Sequence, residues 1–118
     1  MDRALGERLR VIMLFDAYSG LLSERRRMLL QLYYLRDLSL GEIAEMLKIT
    51  RQAVFDSLHR SVDELERLEQ SLHTLELRRA VAERTAVLER AVKGLAGRVD
   101  PQTVDHLLES VAALRRLG

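Results

Sequence analysis

The segment Leu38-Ser39-Leu40-Gly41-Glu42-Ile43-Ala44-Glu45-Met46-Leu47-Lys48-Ile49-Thr50-Arg51-Gln52-Ala53-Val54-Phe55-Asp56-Ser57-Leu58-His59-Arg60 decides the fold, because it reads as two short helices joined by a tight turn. Ser39 stands three residues before Glu42, so the serine oxygen accepts from the Glu42 amide while the carboxylate returns to the Ser39 amide, a capping box that opens a helix. Ile43, Ala44 and Leu47 fall on one face of that helix, and Ala44 is small enough to let a second helix approach closely. Ile49 plugs the turn. Thr50 then caps a second helix, which buries Ala53, Val54 and Leu58 and exposes Arg51, Gln52, Phe55, Asp56 and His59. Lys48 occupies the turn position where glycine is common, and a left-handed backbone there costs a residue with a side chain ~1 to 2 kcal/mol. Ser57 takes a position that is often apolar, although Leu58, at i+4 from Val54, covers the same groove. The pattern is that of a helix-turn-helix, the alternative being a plain helical hairpin within a bundle.

Outside this segment the chain also reads as helical. Its 118 residues include one proline, six glycines and no cysteine, with much Leu, Ala, Arg and Glu and no run of alternating β-branched residues. The fold class is therefore all-α. The length suffices for a core without disulfides or a metal, and the absence of cysteine leans towards a reducing compartment, so a cytoplasmic protein is expected. The N-terminal region carries Arg3, Glu7, Arg8 and Arg10 instead of an apolar leader, and no segment approaches the ~20 apolar residues of a membrane span. The formal net charge of +1 is too small for binding nucleic acid through a global field, so any basic footprint must be local.

A first helix is expected over roughly Arg3 to Tyr18, burying Leu5, Leu9, Ile12 and Phe15, with Gly20 as its stop. Ser23 caps a second, with Leu29, Leu32 and Tyr33 as its core stripe before a break at Arg36-Asp37. These four helices fill an N-terminal domain over residues 1–62. From Arg51 to Lys93 there is neither proline nor glycine, and Leu58, Leu65 and Leu72 recur every seven residues with Leu68 and Leu75 between them, a short coiled-coil-like seam. Beyond Leu75 the apolar row changes phase to Val81, Leu88 and Leu95, which places a bend or helix boundary near His73 to Arg79. Gly94 and Gly97 close that region. Asp100 caps and Pro101 opens a last amphipathic helix with Val104, Leu107, Leu108, Val111 and Leu114. Residues 63–118 thus form a helical extension for dimerisation or interaction, whose leucine rows pair either two chains or segments of one chain.

Leu21-Leu22-Ser23-Glu24 before an arginine-rich helix, Leu32-Tyr33-Tyr34, Leu38 to Glu45 and Arg51 to Asp56 together resemble the YlxM family, as do Leu14-Phe15-Asp16-Ala17-Tyr18 and the helical C-terminal extension. The resemblance covers most of the chain, most specifically residues 11 to 60. It implies a small bacterial regulator whose helix-turn-helix is similar to the promoter-reading fourth region of sigma factors, in the winged-helix-like DNA-binding class without a wing. Genes of that family commonly neighbour those of the signal recognition particle pathway, which implies a role with that particle's RNA, its GTPase or its receptor. Phe55 stands where the family usually has Tyr.

For DNA, Arg51 and Gln52 are the side chains to send to base edges, Arg towards guanine and Gln towards adenine. Lys48, Thr50, His59, Arg60 and the cluster Arg25, Arg26 and Arg27 complete the candidate nucleic-acid surface, the cations holding phosphates. Asp56 on the same face opposes phosphate unless it accepts from a cytosine or pairs with Arg60 at i+4, so a solvated, salt-bridged face is the competing reading. For RNA, three tyrosines and two phenylalanines leave little to stack on, and Phe55 is the one platform, or else it is buried against a partner helix. Enzymatic readings are poor. His73 with Glu69 and Glu76, and His106 with Glu109, have metal-ligand spacing but read as charged helix surface. Asp56, Ser57 and His59 do not converge as a catalytic triad would, and there is no Gly-rich phosphate loop. No enzyme activity, cofactor or small-molecule substrate is expected. A homodimer paired through Leu58, Leu65, Leu68, Leu72 and Leu75 is expected, and a protein-interaction scaffold remains the reading from another class.

Overall fold

The computed structural model describes residues 3–117, with side chains from Gly6 onward. Six α-helices form: α1 (Arg3–Tyr18), α2 (Glu24–Leu30), α3 (Leu40–Leu47), α4 (Arg51–Leu72), α5 (Thr74–Lys93) and α6 (Pro101–Leu117). No strand forms among the described residues. A 3-10 turn, Ser19–Leu21, follows α1, and a π-helical turn, Gln31–Leu35, prolongs α2. The chain divides into two compact units, the first ending at His73 and the second beginning at Thr74.

The first unit is a helix-turn-helix embedded in a four-helix core. Val11, Leu14, Phe15 and Tyr18 of α1, Leu22 after the 3-10 turn, Leu29 and Leu30 of α2, Leu32 of the π turn, Ile43 and Ala44 of α3, and Val54, Leu58 and Leu65 of α4 are all buried. The stripe of α1 is rotated from expectation: Leu9 is exposed and Ile12 only half-buried, while Val11, Leu14 and Tyr18 face inward. Leu5 lies outside the described side chains. Tyr33, expected in the core of α2, is half-buried, and Leu30 takes the inward place. Tyr33 lies inside the π turn, whose wider loop departs from the regular helical period of the expected stripe. Arg36 N–H donates to the Gln31 carbonyl at 2.9 Å, and Asp37 breaks the run in a left-handed conformation at φ 56°. Carbonyls loosened by that turn are taken up by Arg8, whose guanidinium donates to the Tyr34 carbonyl at 2.8 Å, pairs with Asp37 and lies 5.5 Å over the Tyr34 ring.

The 22-residue α4 runs well past Arg60. Its second half is covered by α1: Arg10 makes a two-point pair with Glu66 at 2.8 Å, and Tyr18 donates to Glu69. Leu65 is fully buried there, so the unit ends at His73 and not at residue 62. His73 caps α4 in the left-handed conformation at φ 54°, within the window where the leucine rows change phase.

The second unit is the hairpin of α5 and α6. Thr85 and Val92 of α5 and Val104 and Val111 of α6 are its buried residues, with the Thr85 hydroxyl satisfied by the Val81 carbonyl at 2.8 Å. The Asp100 carboxylate accepts from the Thr103 amide at 3.2 Å, the cap expected before Pro101. Leu88, Leu95, Leu107 and Leu114, expected along apolar stripes, are exposed. Glu89 bridges the helices, receiving Lys93 at 2.8 Å and Arg115 on its other oxygen.

Two outcomes follow from this packing. Leu65→Ala should cost about 2 to 5 kcal/mol in urea unfolding, as expected for a fully buried leucine, while Leu72→Ala, at a half-exposed site, should stay within about 0.5 kcal/mol. Equal losses would contradict the core as described. The second outcome concerns Glu89, whose carboxyl is pulled from the ordinary 4.5 down to about 2, by the Lys93 hydrogen bond first and Arg115 second. A depressed carboxylate stabilises the folded state above its unfolded value and loses that contribution as pH falls through the folded one, here from about 4.5 to about 2. Carboxyl NMR titration of Lys93→Ala with Arg115→Ala should show the Glu89 midpoint returning towards 4.5, and an unmoved midpoint would refute the pairing.

Candidate nucleic-acid interface

Four local devices set the turn between α3 and α4. Ser39 Oγ accepts from the Glu42 amide at 3.1 Å and Glu42 accepts from the Ser39 amide at 3.0 Å, closing the capping box. The Ser39 amide, and after it the Ser39 hydroxyl, hold the Glu42 carboxyl below its usual range. Lys48 adopts the left-handed conformation at φ 57°, and the Ile49 amide returns to the Ala44 carbonyl at 3.0 Å. Thr50 Oγ1 accepts from the Ala53 amide at 3.0 Å, capping the start of α4. With Ile43 and Ala44 of α3 and Val54 and Leu58 of α4 buried, the opposite face of α4 must be exposed.

That face carries Arg51, Gln52, Phe55, Asp56, His59 and Arg60, each exposed. Phe55 is 49% exposed and stacks on His59, with ring centroids 5.8 Å apart and planes 23° from parallel. It is therefore not buried against another helix of this chain. Asp56 does not turn to Arg60; it accepts from Gln52 Nε2 at 3.0 Å. The side chain meant for adenine is thus engaged within its own helix.

The arginines of α2 separate into different roles. Arg25 is exposed. Arg26 lies 3.7 Å from Glu64, a carboxylate it shares with Arg67. Arg27 is built into the fold, donating to the Ser19 carbonyl at 3.1 Å and the Leu22 carbonyl at 3.0 Å, so it is not a phosphate contact. Of the basic residues singled out from sequence, Lys48 and Arg51 stand at the start of α4 and Arg60 follows more than two turns further along the same helix, on its other side, all three exposed, whereas Arg26 and Arg27 are diverted to structural partners.

The leucine seam is redistributed as well. Leu58 and Leu65 are buried in the core of the first unit and cannot pair two chains. Leu68 is half-buried, Leu72 is 54% exposed, and Leu75 lies beyond the His73 cap on α5, so the five leucines do not form one continuous seam. Their sevenfold spacing is that of any helix laid along a core, which is why sequence alone did not separate the two uses.

Two features of the surface lay outside the sequence reading. Gly41 allows the Arg51 guanidinium to lie on the first turn of α3: a Cβ there would stand 3.0 Å from Arg51 Nε. The only sequence signal was a glycine inside a helix that otherwise has every reason to avoid one. Met28, Gln31, Leu32, Arg36, Met46 and Leu47 line a cleft of about 320 Å³ between α2 with its π turn and α3. Among the described residues no helix is long and apolar enough to cross a membrane, and no group of three or more His, Cys, Asp or Glu side chains is placed to hold a metal ion.

A capped helix, a left-handed turn and a second helix with an exposed polar face define an all-α helix-turn-helix protein. Over residues 5–97 the chain matches the family model described as "Putative helix-turn-helix protein, YlxM / p13 like" (UPF0122), and it belongs to that family. It is similar to a UPF0122 protein of Halalkalibacterium halodurans, 37% identical over 93% of this chain and 98% of the relative. A UPF0122 protein of Shouchella clausii is 41% identical over 81% of this chain and 96% of its own length. One from Bacillus cereus reaches 49% identity over 53% of this chain and 57% of the relative.

The contact between Gly41 and Arg51 yields a direct test. Gly41→Ala should leave the fold intact and add up to about 1 kcal/mol through helix propensity, while pushing the Arg51 guanidinium away from α3. Thermal unfolding and the Arg51 Nε–H NMR signal measure the two effects, and a marked loss of stability would show that Arg51 cannot give way.

Proposed function

We propose that this chain is a nucleic-acid-binding regulatory protein that uses the exposed face at the start of α4, and that its ligand is a structured RNA with unpaired bases, such as the RNA of the signal recognition particle. The observation that carries the reading is the half-exposed Phe55–His59 stack on α4, with exposed Lys48 and Arg51 before it and exposed Arg60 after it in the chain. The cations supply phosphate contacts whose strength falls with salt, and the aromatic pair supplies a surface on which an unstacked base rests. Asp56 on the same face works against a duplex backbone laid along the helix, which favours a ligand met at few points. The particle's RNA is chosen from the YlxM resemblance and its implied pathway. No reacting group is required by this role, and none is assigned.

Fluorescence anisotropy with a labelled hairpin of that RNA, competed by random duplex DNA across a salt series, tests the proposal. The hairpin should win. Lys48→Ala, Arg51→Ala and Arg60→Ala should each lower affinity and flatten the log–log salt slope by about one unit. Phe55→Ala should cost about 1 to 3 kcal/mol on RNA with unpaired bases and little on a perfect duplex. Arg27→Ala should lower stability more than it changes the slope. If duplex DNA competes equally and Phe55→Ala is neutral, the face is a reader of duplex DNA, and the sequence-specific transcriptional regulator replaces the RNA reading. Absence of binding to either leaves a protein-interaction scaffold.

A further inference from the structure

We propose that one face of the α5–α6 hairpin is a self-association surface whose occupant is the same face of a second copy of this chain. The hairpin has two edges, defined by rotation away from its buried line of Thr85, Val92, Val104 and Val111. On one edge Glu89 and Arg115 bridge the helices. At about 100° per residue, Leu77 and Leu88 of α5 and Leu107 and Leu114 of α6 rotate the other way from that line, so they share the opposite edge, and Leu95 follows in the turn after α5. All five are exposed, from 37% at Leu95 and Leu107 to 64% at Leu77.

The sector beyond them continues without a charged rim. Ala80, Val87 and Ala91 extend it on α5, and Ser110, Ala113 and Leu117 on α6, all exposed. Arg84 and His106 are the ionisable residues it contains; Arg84 stands between Ala80 and Leu88, where its stem packs on apolar surface and its long side chain carries the charge outward. Glu76, Arg79, Glu83, Asp105, Glu109 and Arg116 fall outside it. Such segregation is not that of a solvated face, and it offers no basic surface to nucleic acid.

The occupant follows from the shape and the size of the surface. Two helices bury only one line of side chains, and a second antiparallel pair laid across the open face makes a four-helix bundle in which every helix has two neighbours. Large leucines beside alanine and serine positions give knobs and the gaps that receive them, so the face is complementary to itself about a twofold axis. Its exposed leucines and valines present roughly 600 Å² per chain, hence roughly 1,200 Å² for two, which reaches the lower range of specific interfaces. The proposal takes the place of the seam through Leu58 and Leu65, and it stands apart from the nucleic-acid reading, since none of its residues is Lys48, Arg51, Phe55 or Arg60.

Because the chain has no cysteine, single introduced cysteines report on this face in the full-length protein. Ala91→Cys and Ala113→Cys should cross-link between chains under mild oxidation, and Ala82→Cys, on the other edge, should not. Sedimentation at micromolar concentration should give twice 13.6 kDa, and Leu88→Glu with Leu114→Glu should give the single-chain mass with helical circular dichroism retained. If the glutamates unfold the hairpin, Leu88→Ala with Leu107→Ala should still weaken association roughly tenfold or more. A wild-type monomer at high micromolar concentration would overturn the proposal and leave the face to another segment of the chain or to a different partner. Equal cross-linking from Ala82→Cys, or a dimer indifferent to both leucine pairs, would overturn it too.

Discussion

The first unit depends on one buried stripe. Val54, Leu58, Ser61 and Leu65 succeed one another along α4 at intervals of four, three and four residues, and all are buried, with the Ser61 hydroxyl donating to the Ser57 carbonyl at 2.8 Å. Burying a valine or leucine side chain contributes about 1.5 to 3 kcal/mol, so the three apolar members together outweigh the ~1 to 2 kcal/mol that a left-handed Lys48 costs. The strained turn persists because it brings α3 onto that stripe, where Ile43 and Ala44 are buried. The orientation of the exposed face follows from it, since rotating α4 by one residue would carry Arg51 or Phe55 towards the core and Val54 or Leu58 into water.

Charge is organised by the same packing. A chain with a net charge of +1 has no general field to offer, and many of its arginines hold the fold together. Arg8 serves the π turn, Arg10 ties α1 to Glu66, and Arg27 serves the carbonyls of Ser19 and Leu22 at either end of the 3-10 turn. Arg25 and Arg27, two residues apart, point in different directions around the helix, and only the first is left to solvent. The cations around α4 therefore act as a small local group, which keeps any electrostatic attraction short in range and easily screened.

What the sequence made legible was local. The capping box at Ser39, the caps at Ser23, Thr50 and Asp100, the left-handed Lys48 and a helix boundary within His73 to Arg79 each depend on a few neighbouring residues, and each stands in the structure as read, the boundary falling at His73. The exposed set on α4 was legible too, because burial of Val54 and Leu58 leaves one arrangement for the rest of the turn. What was hidden depended on residues distant in sequence. The π turn needs Arg8, twenty-six residues before Tyr34, to satisfy its carbonyls. Leu65 reads as an outward seam until α1 is known to lie against it through Arg10 and Tyr18. Arg27 looks like its two neighbours until the carbonyls of Ser19 and Leu22 are placed beneath it. The competition between Gln52 and Arg60 for Asp56 was local, yet both partners satisfy the i, i+4 rule, and spacing alone does not choose between an amide at i−4 and a guanidinium at i+4.

That choice bears on what the face can read. A glutamine that recognises adenine must present its amide nitrogen and oxygen together to the base edge, and Gln52 has already committed its nitrogen to Asp56. Turning it outward exchanges one hydrogen bond to a carboxylate, worth about 1.5 to 3 kcal/mol, for two to a base, and leaves the Asp56 charge facing the ligand without its donor. The net gain is small, and smaller still where phosphates are near. Phe55 has no such competing commitment, because a base laid on its open side leaves the contact with His59 in place. Recognition by stacking and a few phosphate contacts is therefore the use of this face that disturbs the fewest bonds it already makes.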